Sequence, residues 1–261
     1  MTALAERKTK ALEMSFWDHL EELRFCVLRS LAAVGIFSLI GFIFKGPVFD
    51  GIVLLPTRPD FFLYRWTGLE VDMELINIDV TAQFFIHLKM AVALGFVVAF
   101  PYIIWQIWRF IAPALYEHEK KAIGKAFLLA SILFYLGVAV GYCFVLPVCL
   151  NFFMGYSVSE TVNNTIALGS YIALLSSMVL LIGLVFEFPT VIMALSRLGI
   201  VGKELLRKYR RHAFMIILIL SALITPSDPV SMLVLSIPLY LLYEFSILLC
   251  RKYNTSSHEE K

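Results

Sequence analysis

Two short segments of the sequence place glutamates beside arginine, lysine and aromatic residues. Glu21 and Glu22 lie in HLEELR, and Glu117 and Glu119 lie in RFIAPALYEHEKK. A carboxylate in such surroundings can bind a cationic group, and a guanidinium fits it best because its planar fork donates two parallel hydrogen bonds. The plainer alternative, which the residues alone leave open, is that these acids cap helix starts or form solvated ion pairs.

A third acid, Glu187, lies inside an apolar run in the segment VFEFP. Arg197 is the next charged residue, about 15 Å further along a helix, so the carboxylate cannot easily reach the surface. Pro189 withholds a backbone donor and predicts a bend in the helix. Because a buried charge costs about 2.5 to 3.5 kcal/mol, we expect a polar or water-containing cavity here. A structural hydrogen bond to a neighbouring helix is the alternative.

No catalytic or metal-binding motif accompanies these acids. The sequence contains no P-loop and no G-x-S-x-G elbow, and His118-Glu119 is not completed by the second histidine of a zinc motif. The four cysteines show no C-x-x-C spacing. We therefore expect no catalytic residue, no enzymatic activity, no metal or other cofactor, and no nucleic-acid partner.

The composition determines which elements must position these side chains. Of 261 residues, 60% are apolar and only 16% are charged, and the mean hydropathy is +0.82. A soluble domain of this size could not cover so much apolar surface with so few charges, whereas membrane-spanning helices need no such cover. The chain is therefore expected to be an integral membrane protein.

Apolar runs long enough to cross a bilayer predict the helices, since a span needs about 20 residues at 1.5 Å each. Six candidates lie at residues 25–44, 81–108, 126–150, 170–197, 213–225 and 230–250. We expect an all-α protein with six transmembrane helices, the last two short, forming one polytopic domain over residues 1–261. The first run is too long and starts too late for a removable signal peptide, so we expect a retained anchor.

The positions of lysine and arginine predict the orientation of the spans. In the loops, only Lys45, Arg58 and Arg65 lie on one side of the predicted membrane, and all the other cations of the loops and tails lie on the opposite side. Short cytoplasmic loops carry the excess of Lys and Arg. We therefore expect both termini in the cytoplasm, which agrees with six crossings.

Five segments of the chain resemble the TatC family, the multispanning core of the bacterial twin-arginine protein translocase. The segments are HLEELR at 19–24, NIDVTAQFFIHLK at 77–89, WQIWRFIAPALYEHEKK at 105–121, VFEFP at 185–189 and LITPSDPVSMLVLSIPLYLLYE at 223–244. They occur in the family's order from the N-terminal tail to the last helix. The resemblance agrees with the six spans and the inward termini predicted above.

The resemblance implies a function in protein transport at the cytoplasmic (inner) membrane. TatC proteins recognise folded cargo whose signal peptides carry two adjacent arginines, and export draws on the proton motive force. Small single-span partners of the TatA and TatB type dock on the multispanning core, and the implied assembly contains several copies of the core. On this interpretation the partners are signal peptides, TatA- and TatB-type proteins, further copies of the chain, and lipid.

The resemblance also implies which residues bind the signal peptide. Glu22 and Arg24 match the tail motif, Phe110 matches the aromatic of the first cytoplasmic loop, and Glu119 matches the last glutamate of that loop. The chain departs from the family at Cys26, where a second arginine usually stands. Arg29, one helical turn later, is the nearest substitute, so the departure puts the tail's role in doubt and makes Glu119 the stronger assignment.

Two further residues match family positions in or near the membrane. Glu187 matches the acid of the family's concave membrane face, where it would meet polar groups of the partner helices. Asp228 lies between two prolines in TPSDP, and its implied role is structural, because an aspartate there accepts backbone hydrogen bonds in a turn.

A secondary transporter for a small solute is the alternative from another functional class. Lys89 and Glu187 would then form a coupled ion pathway. Transporter folds often carry inverted repeats with broken helices at matching positions. The prolines of the predicted spans form no convincing repeat of this kind, which disfavours the transporter.

Overall fold

A computed structural model describes residues 16–68, 73–112, 117–156, 159, 165–197, 200–225 and 229–250. Its α-helices are α1 (Phe16–Ile43), α2 (Lys45–Val48), α3 (Phe62–Thr67), α4 (Ala82–Ile111), α5 (Glu117–Val140), α6 (Leu146–Gly155), α7 (Leu168–Val185), α8 (Phe188–Arg197), α9 (Lys203–Lys208), α10 (Arg210–Ile224) and α11 (Pro229–Leu249). Two π-helical turns, Phe49–Val53 and Gly141–Val145, and a 3-10 turn, Leu55–Thr57, complete the helical segments. Asp228, predicted to hold a turn, lies outside the described residues.

Five helical stretches of the described chain are long and apolar enough to cross a membrane. They are His19–Ile43, Ala82–Ile111, Phe127–Gly155, Leu168–Arg197 and Pro229–Leu248. The short span expected at 213–225 is the 15-residue helix α10, about 22 Å long, so its crossing of the bilayer remains a prediction. The last helix differs from expectation, because α11 has 21 residues and is long enough to span despite Pro238 inside it.

Helix boundaries extend beyond the apolar runs that predicted them. The first apolar run starts at residue 25, whereas α1 starts at Phe16 and includes the whole of HLEELR. Hydropathy locates only the part of a helix that lies in hydrocarbon, while Leu, Glu and Arg are good helix formers that continue it into the polar flank. The signal-binding motif predicted on the tail is therefore the first turns of a long helix.

Close backbone contacts fix the helices against each other. Helix α1 packs along α4 more extensively than any other pair, α5 packs on α7 and α8, and α11 packs on α8 and α10. A Cβ on Gly137 would lie 2.7 Å from Cβ of Phe186, and one on Gly183 would lie 2.9 Å from the ring of Phe134. The G-x-x-x-G motif runs from Gly137 of α5 to Gly141 of the following π-helical turn, and it permits the close approach of α7.

The segment after α1 folds back as a cap on the bundle. Tyr171 of α7 donates a hydrogen bond of 2.5 Å to the carbonyl of Val53, and Tyr64 donates one of 2.8 Å to the carbonyl of Pro56. Burial raises the pKa of Tyr64 well above its usual range, so the phenol remains a neutral donor. One correction to the all-α expectation arises here: β1 (Leu75–Ile76) pairs in parallel with β2 (Ile166–Ala167). Both strands have only two residues, too short for the alternation that marks a strand in sequence.

Candidate functional site

The HLEELR motif turns one face toward the end of α4. His19, Glu22 and Cys26 are three and four residues apart, so they lie on the same side of α1. The His19 ring stacks on Phe110, with centroids 4.3 Å apart and planes inclined by 19°, and Cys26 is buried. Glu22, between them along the helix, is half-buried. The structure therefore brings the motif and the loop aromatic together.

Arg24 lies elsewhere on the helix. At 100° per residue it is on the side of α1 opposite His19 and Cys26, and its side chain is exposed. Arg29, the nearest substitute for the arginine missing at position 26, has its guanidinium carbon 5.9 Å from the ring centroid of Phe25. That geometry is a cation–π contact within α1. Neither arginine is brought to Phe110.

The other half of the site begins where α5 docks on the last turn of α4. The rings of Trp108 and Phe127 pack with centroids 5.1 Å apart, and a Cβ on Gly124 would lie 3.4 Å from the Trp108 ring. The backbone of Glu119 lies in the first turn of α5, five residues before Gly124. A carboxylate is favoured there by the helix dipole. The side chain of Glu119 lies outside the part of the structure that is described.

Acidic and aromatic residues of three helices share one end of the bundle. A half-buried carboxylate on α1, an aromatic ring at the end of α4, and an acid-bearing first turn of α5 lie around one end of the bundle. Among the described residues, no group of three or more His, Cys, Asp and Glu side chains could hold a metal ion. His19 was not singled out in the sequence; its spacing of three from Glu22 is the signal that could have identified it.

A second polar position lies at the break between α7 and α8. The amide of Glu187 donates to the carbonyl of Leu184 (3.1 Å), a tighter turn than in an α-helix, and α8 then starts at Phe188. Pro189 is the second residue of α8, where its missing N–H leaves no helical bond unmade. The helix is thus interrupted at Phe186 and Glu187, just before this proline.

The Glu187 carboxylate is half-buried at this break. Its Oε1 is shielded from solvent and makes no hydrogen bond to any described residue. The Thr190 hydroxyl, one turn later, is its polar neighbour, but the two make no well-directed hydrogen bond. A carboxylate oxygen without a partner among the described residues can accept a hydrogen bond from another group.

Polar contacts hold the C-terminal half of the last helix. Glu244 accepts a hydrogen bond and ion pair from Arg210 at 2.7 Å, and a 3.2 Å hydrogen bond from the hydroxyl of Tyr240. The hydroxyl of Tyr243, a buried residue, donates to the carbonyl of Leu206 at 2.7 Å. These contacts join α11 to α9 and α10.

We expect Tyr243→Phe to destabilise the folded chain more than Glu244→Gln. The phenylalanine leaves a buried carbonyl without its donor, which costs roughly 1–3 kcal/mol. The ion pair is partly exposed and is worth at most about 1 kcal/mol, and glutamine still accepts hydrogen bonds. Unfolding of both purified variants in denaturant measures the two losses. A larger loss for Glu244→Gln would show that the ion pair dominates this contact.

The fold and the site define a polytopic helical membrane protein with acidic and aromatic residues at one end of its bundle. The chain belongs to the TatC family, because the family model described as Sec-independent protein translocase protein (TatC) matches residues 18–238. It is 35% identical over 255 residues to the Sec-independent protein translocase protein TatC of Blattabacterium sp. subsp. Periplaneta americana, covering 92% of this chain and 96% of the relative. The TatC protein of Aquifex aeolicus is also 35% identical, over 90% of this chain and 94% of its own.

Solved structures agree with this assignment. Two crystal structures described as the twin arginine translocase receptor TatC, one of them in DDM, are each 35% identical to the chain. The first covers 88% of this chain and 97% of its own, with a TM-score of 0.73, and the second covers 89% and 99%, with a TM-score of 0.76. The family expected from the sequence is confirmed, and the chain is a translocase component rather than an enzyme.

Proposed function

We propose that this chain is the signal-peptide receptor of a twin-arginine translocase in the cytoplasmic (inner) membrane. It binds the twin-arginine signal peptides of folded cargo and organises their export, driven by the proton motive force. The observation that carries the proposal is the stacking of His19 on Phe110, which holds the Glu22 face of α1 against the end of α4, on which α5 also docks. The solved relatives described as receptors support it.

Each proposed site residue has a distinct role. Glu22 and Glu119 accept hydrogen bonds from the two guanidinium groups, and Phe110 packs on the peptide beside them. Arg24 lies on a different side of α1 from Glu22, so its proposed contact is with a different part of the signal peptide.

The proposed topology has six spans in one polytopic domain, with both termini in the cytoplasm. The asymmetry of Lys and Arg supports it, because the ends of α4 and α5 that carry Arg109 and Glu119 then lie on the cation-rich side. Helix α10 is the short fifth span in this arrangement. Asp228, between α10 and α11 in sequence, holds the outer turn.

Glu187 is the proposed contact for TatA- and TatB-type partner helices. Its shielded, unbonded oxygen supports this role, since a polar group of a partner helix can supply the missing donor. Further copies of the chain complete the translocase, and no metal, cofactor or nucleic acid is required.

The secondary transporter is disfavoured by the positions of its two charges. Lys89 lines a cavity of about 720 Å³ bounded by residues of α4, α6, α7 and α10. Glu187 does not line this cavity. A coupled ion pathway needs both groups on one aqueous route, and these two residues lie on separate parts of the structure.

Photocrosslinking of signal peptides to the full-length chain in vesicles tests the proposal. A peptide with a photoreactive residue beside its two arginines is compared with a twin-lysine peptide of equal charge and equal apolar length. We expect at least tenfold less crosslinking of the twin-lysine peptide to residues 109–121, because lysine lacks the planar fork that pairs with a carboxylate. Equal crosslinking of the two peptides would refute recognition by paired carboxylates.

A further inference from the structure

Lys89 is a cation within α4, a helix that is long and apolar enough to cross a membrane. It lies seven residues after the start of α4 at Ala82, which is about 10 Å along the helix axis. Its side chain is exposed, and it pairs with no carboxylate in the part of the chain that the structure describes. An ammonium at that depth needs an anion or water, because an unpaired charge is costly to place in hydrocarbon.

The cavity beside Lys89 has a polar part and apolar walls. Ser170 and Thr225 line it together with Lys89, and Leu174, Leu181 and Leu223 contribute apolar surface. The Thr225 hydroxyl already donates to the carbonyl of Ser221 at 2.9 Å. Ser170 is exposed, and its hydroxyl makes no hydrogen bond to another described residue, so it is free to donate. Lys89 and Ser170 together offer several donors to one anion.

The depth of Lys89 along α4 is close to the length by which α10 falls short of the hydrocarbon core. With 15 residues this helix is about 22 Å long, about 8 Å less than the hydrocarbon core of a bilayer. Its outer end, at Leu223 to Thr225, lines the same cavity as Lys89. Lipid next to a short span adapts by thinning, which lowers the headgroups of that leaflet. The lowered headgroups then reach the level of Lys89.

We propose that Lys89 and Ser170 bind the phosphate of an outer-leaflet phospholipid, whose acyl chains lie against Leu174, Leu181 and Leu223. The inference rests on the six-span arrangement proposed above, in which α10 crosses the membrane. The bound lipid satisfies the charge of Lys89 and fills the cavity. It also holds the thinned bilayer against the short helix.

Lipid retention by the full-length chain tests this site. Wild type and Lys89→Gln are purified in mild detergent, incubated with phosphatidylglycerol or phosphatidylethanolamine, and their bound lipids are counted by native mass spectrometry. We expect wild type to retain one more phospholipid per chain than Lys89→Gln, with at least tenfold weaker retention in the variant. Lys89→Arg should keep the lipid. Diacylglycerol, which has the same acyl chains and no phosphate, should not be retained at the site.

Lys45→Gln is the matched control, since Lys45 is an exposed outer-side lysine that lines a different cavity. Equal retention by wild type and Lys89→Gln, or retention of diacylglycerol equal to that of phospholipid, would overturn the proposal. Loss of a co-purifying single-span protein from Lys89→Gln with lipid retention unchanged would overturn it in favour of a partner carboxylate. Twin-arginine peptide binding, measured on the same samples, reports separately on the receptor function, so either proposal can fail alone.

Discussion

Glu119→Gln is expected to weaken binding of a twin-arginine signal peptide by about 1.5–3 kcal/mol, or roughly 10- to 150-fold in Kd. Glutamine keeps the size of the side chain but removes the charge and one of two equivalent acceptor oxygens, so a bidentate pair with a guanidinium is lost. The first turn of α5 stays intact, because its docking on α4 depends on Trp108, Gly124 and Phe127. Titration of a labelled signal peptide into the full-length chain in nanodiscs measures the change.

Glu22 offers a controlled version of the same experiment. Glu22→Gln changes the half-buried acid on the side of α1 that carries His19, whereas Glu21→Gln removes the same charge from the exposed acid one position earlier. If the site lies between α1 and Phe110, only Glu22→Gln should weaken binding by more than about threefold at physiological salt. Equal losses from both substitutions would mean that the peptide responds to the general charge of this surface.

The departure at Cys26 has a structural consequence for Glu22. Cys26 is buried on the side of α1 that faces α4, one turn after Glu22. An arginine at this position would bring a guanidinium into the packed interface beside that carboxylate. The small thiol lets the two helices pack without such a charge, and the His19 ring on Phe110 holds the start of the helix. Packing of His19 and Cys26 therefore holds this side of the motif.

The features that the sequence predicted well are local ones. The apolar runs located all six main helical segments to within a few residues at most ends, since each run is long compared with the error of its boundaries. The break at Glu187 followed from Pro189, two residues later in the chain. Each inference needed only the few residues of one helix.

Contacts between distant parts of the chain could not be predicted in the same way. The stacking of His19 on Phe110 joins residues far apart in sequence. The pairing of Leu75 with Ile166 joins two segments whose sequences do not predict a strand. Neither pair has a periodic pattern, because each contact depends on how whole helices dock. The sequence also could not show that Lys89 and the end of α10 line the same cavity, because this depends on how α4 and α10 pack in the bundle. The family resemblance supplied the roles of Glu22 and Glu119 where spacing alone left two interpretations open.

Glu187→Ala is expected to reduce partner docking without lowering the stability of the chain. The result decides whether the acid contacts a partner helix or makes a structural hydrogen bond within the chain. Oε1 is shielded from solvent and makes no hydrogen bond within the part of the chain that the structure describes. Burial of such an oxygen costs about 1–3 kcal/mol, so its removal should leave the free energy of unfolding unchanged or raise it. A partner helix that donates to the carboxylate would lose about 1.5–3 kcal/mol of docking free energy, roughly 10- to 150-fold in affinity.

Export of a twin-arginine cargo by vesicles, co-purification of the single-span partners and unfolding in denaturant together measure the effects of Glu187→Ala. Signal-peptide binding should stay within about twofold of wild type, because the acid lies at the break between α7 and α8, away from His19 and Phe110. Glu187→Gln, which keeps the hydrogen-bonding shape, should recover part of the partner binding. Normal export by Glu187→Ala together with a loss of more than about 1 kcal/mol in stability would assign the carboxylate to a structural hydrogen bond inside the chain. Reduced export by a variant at least as stable as wild type would instead indicate that the polar partner of Glu187 lies on a helix of another protein. Functional sites often keep such unsatisfied polar groups at a cost in stability.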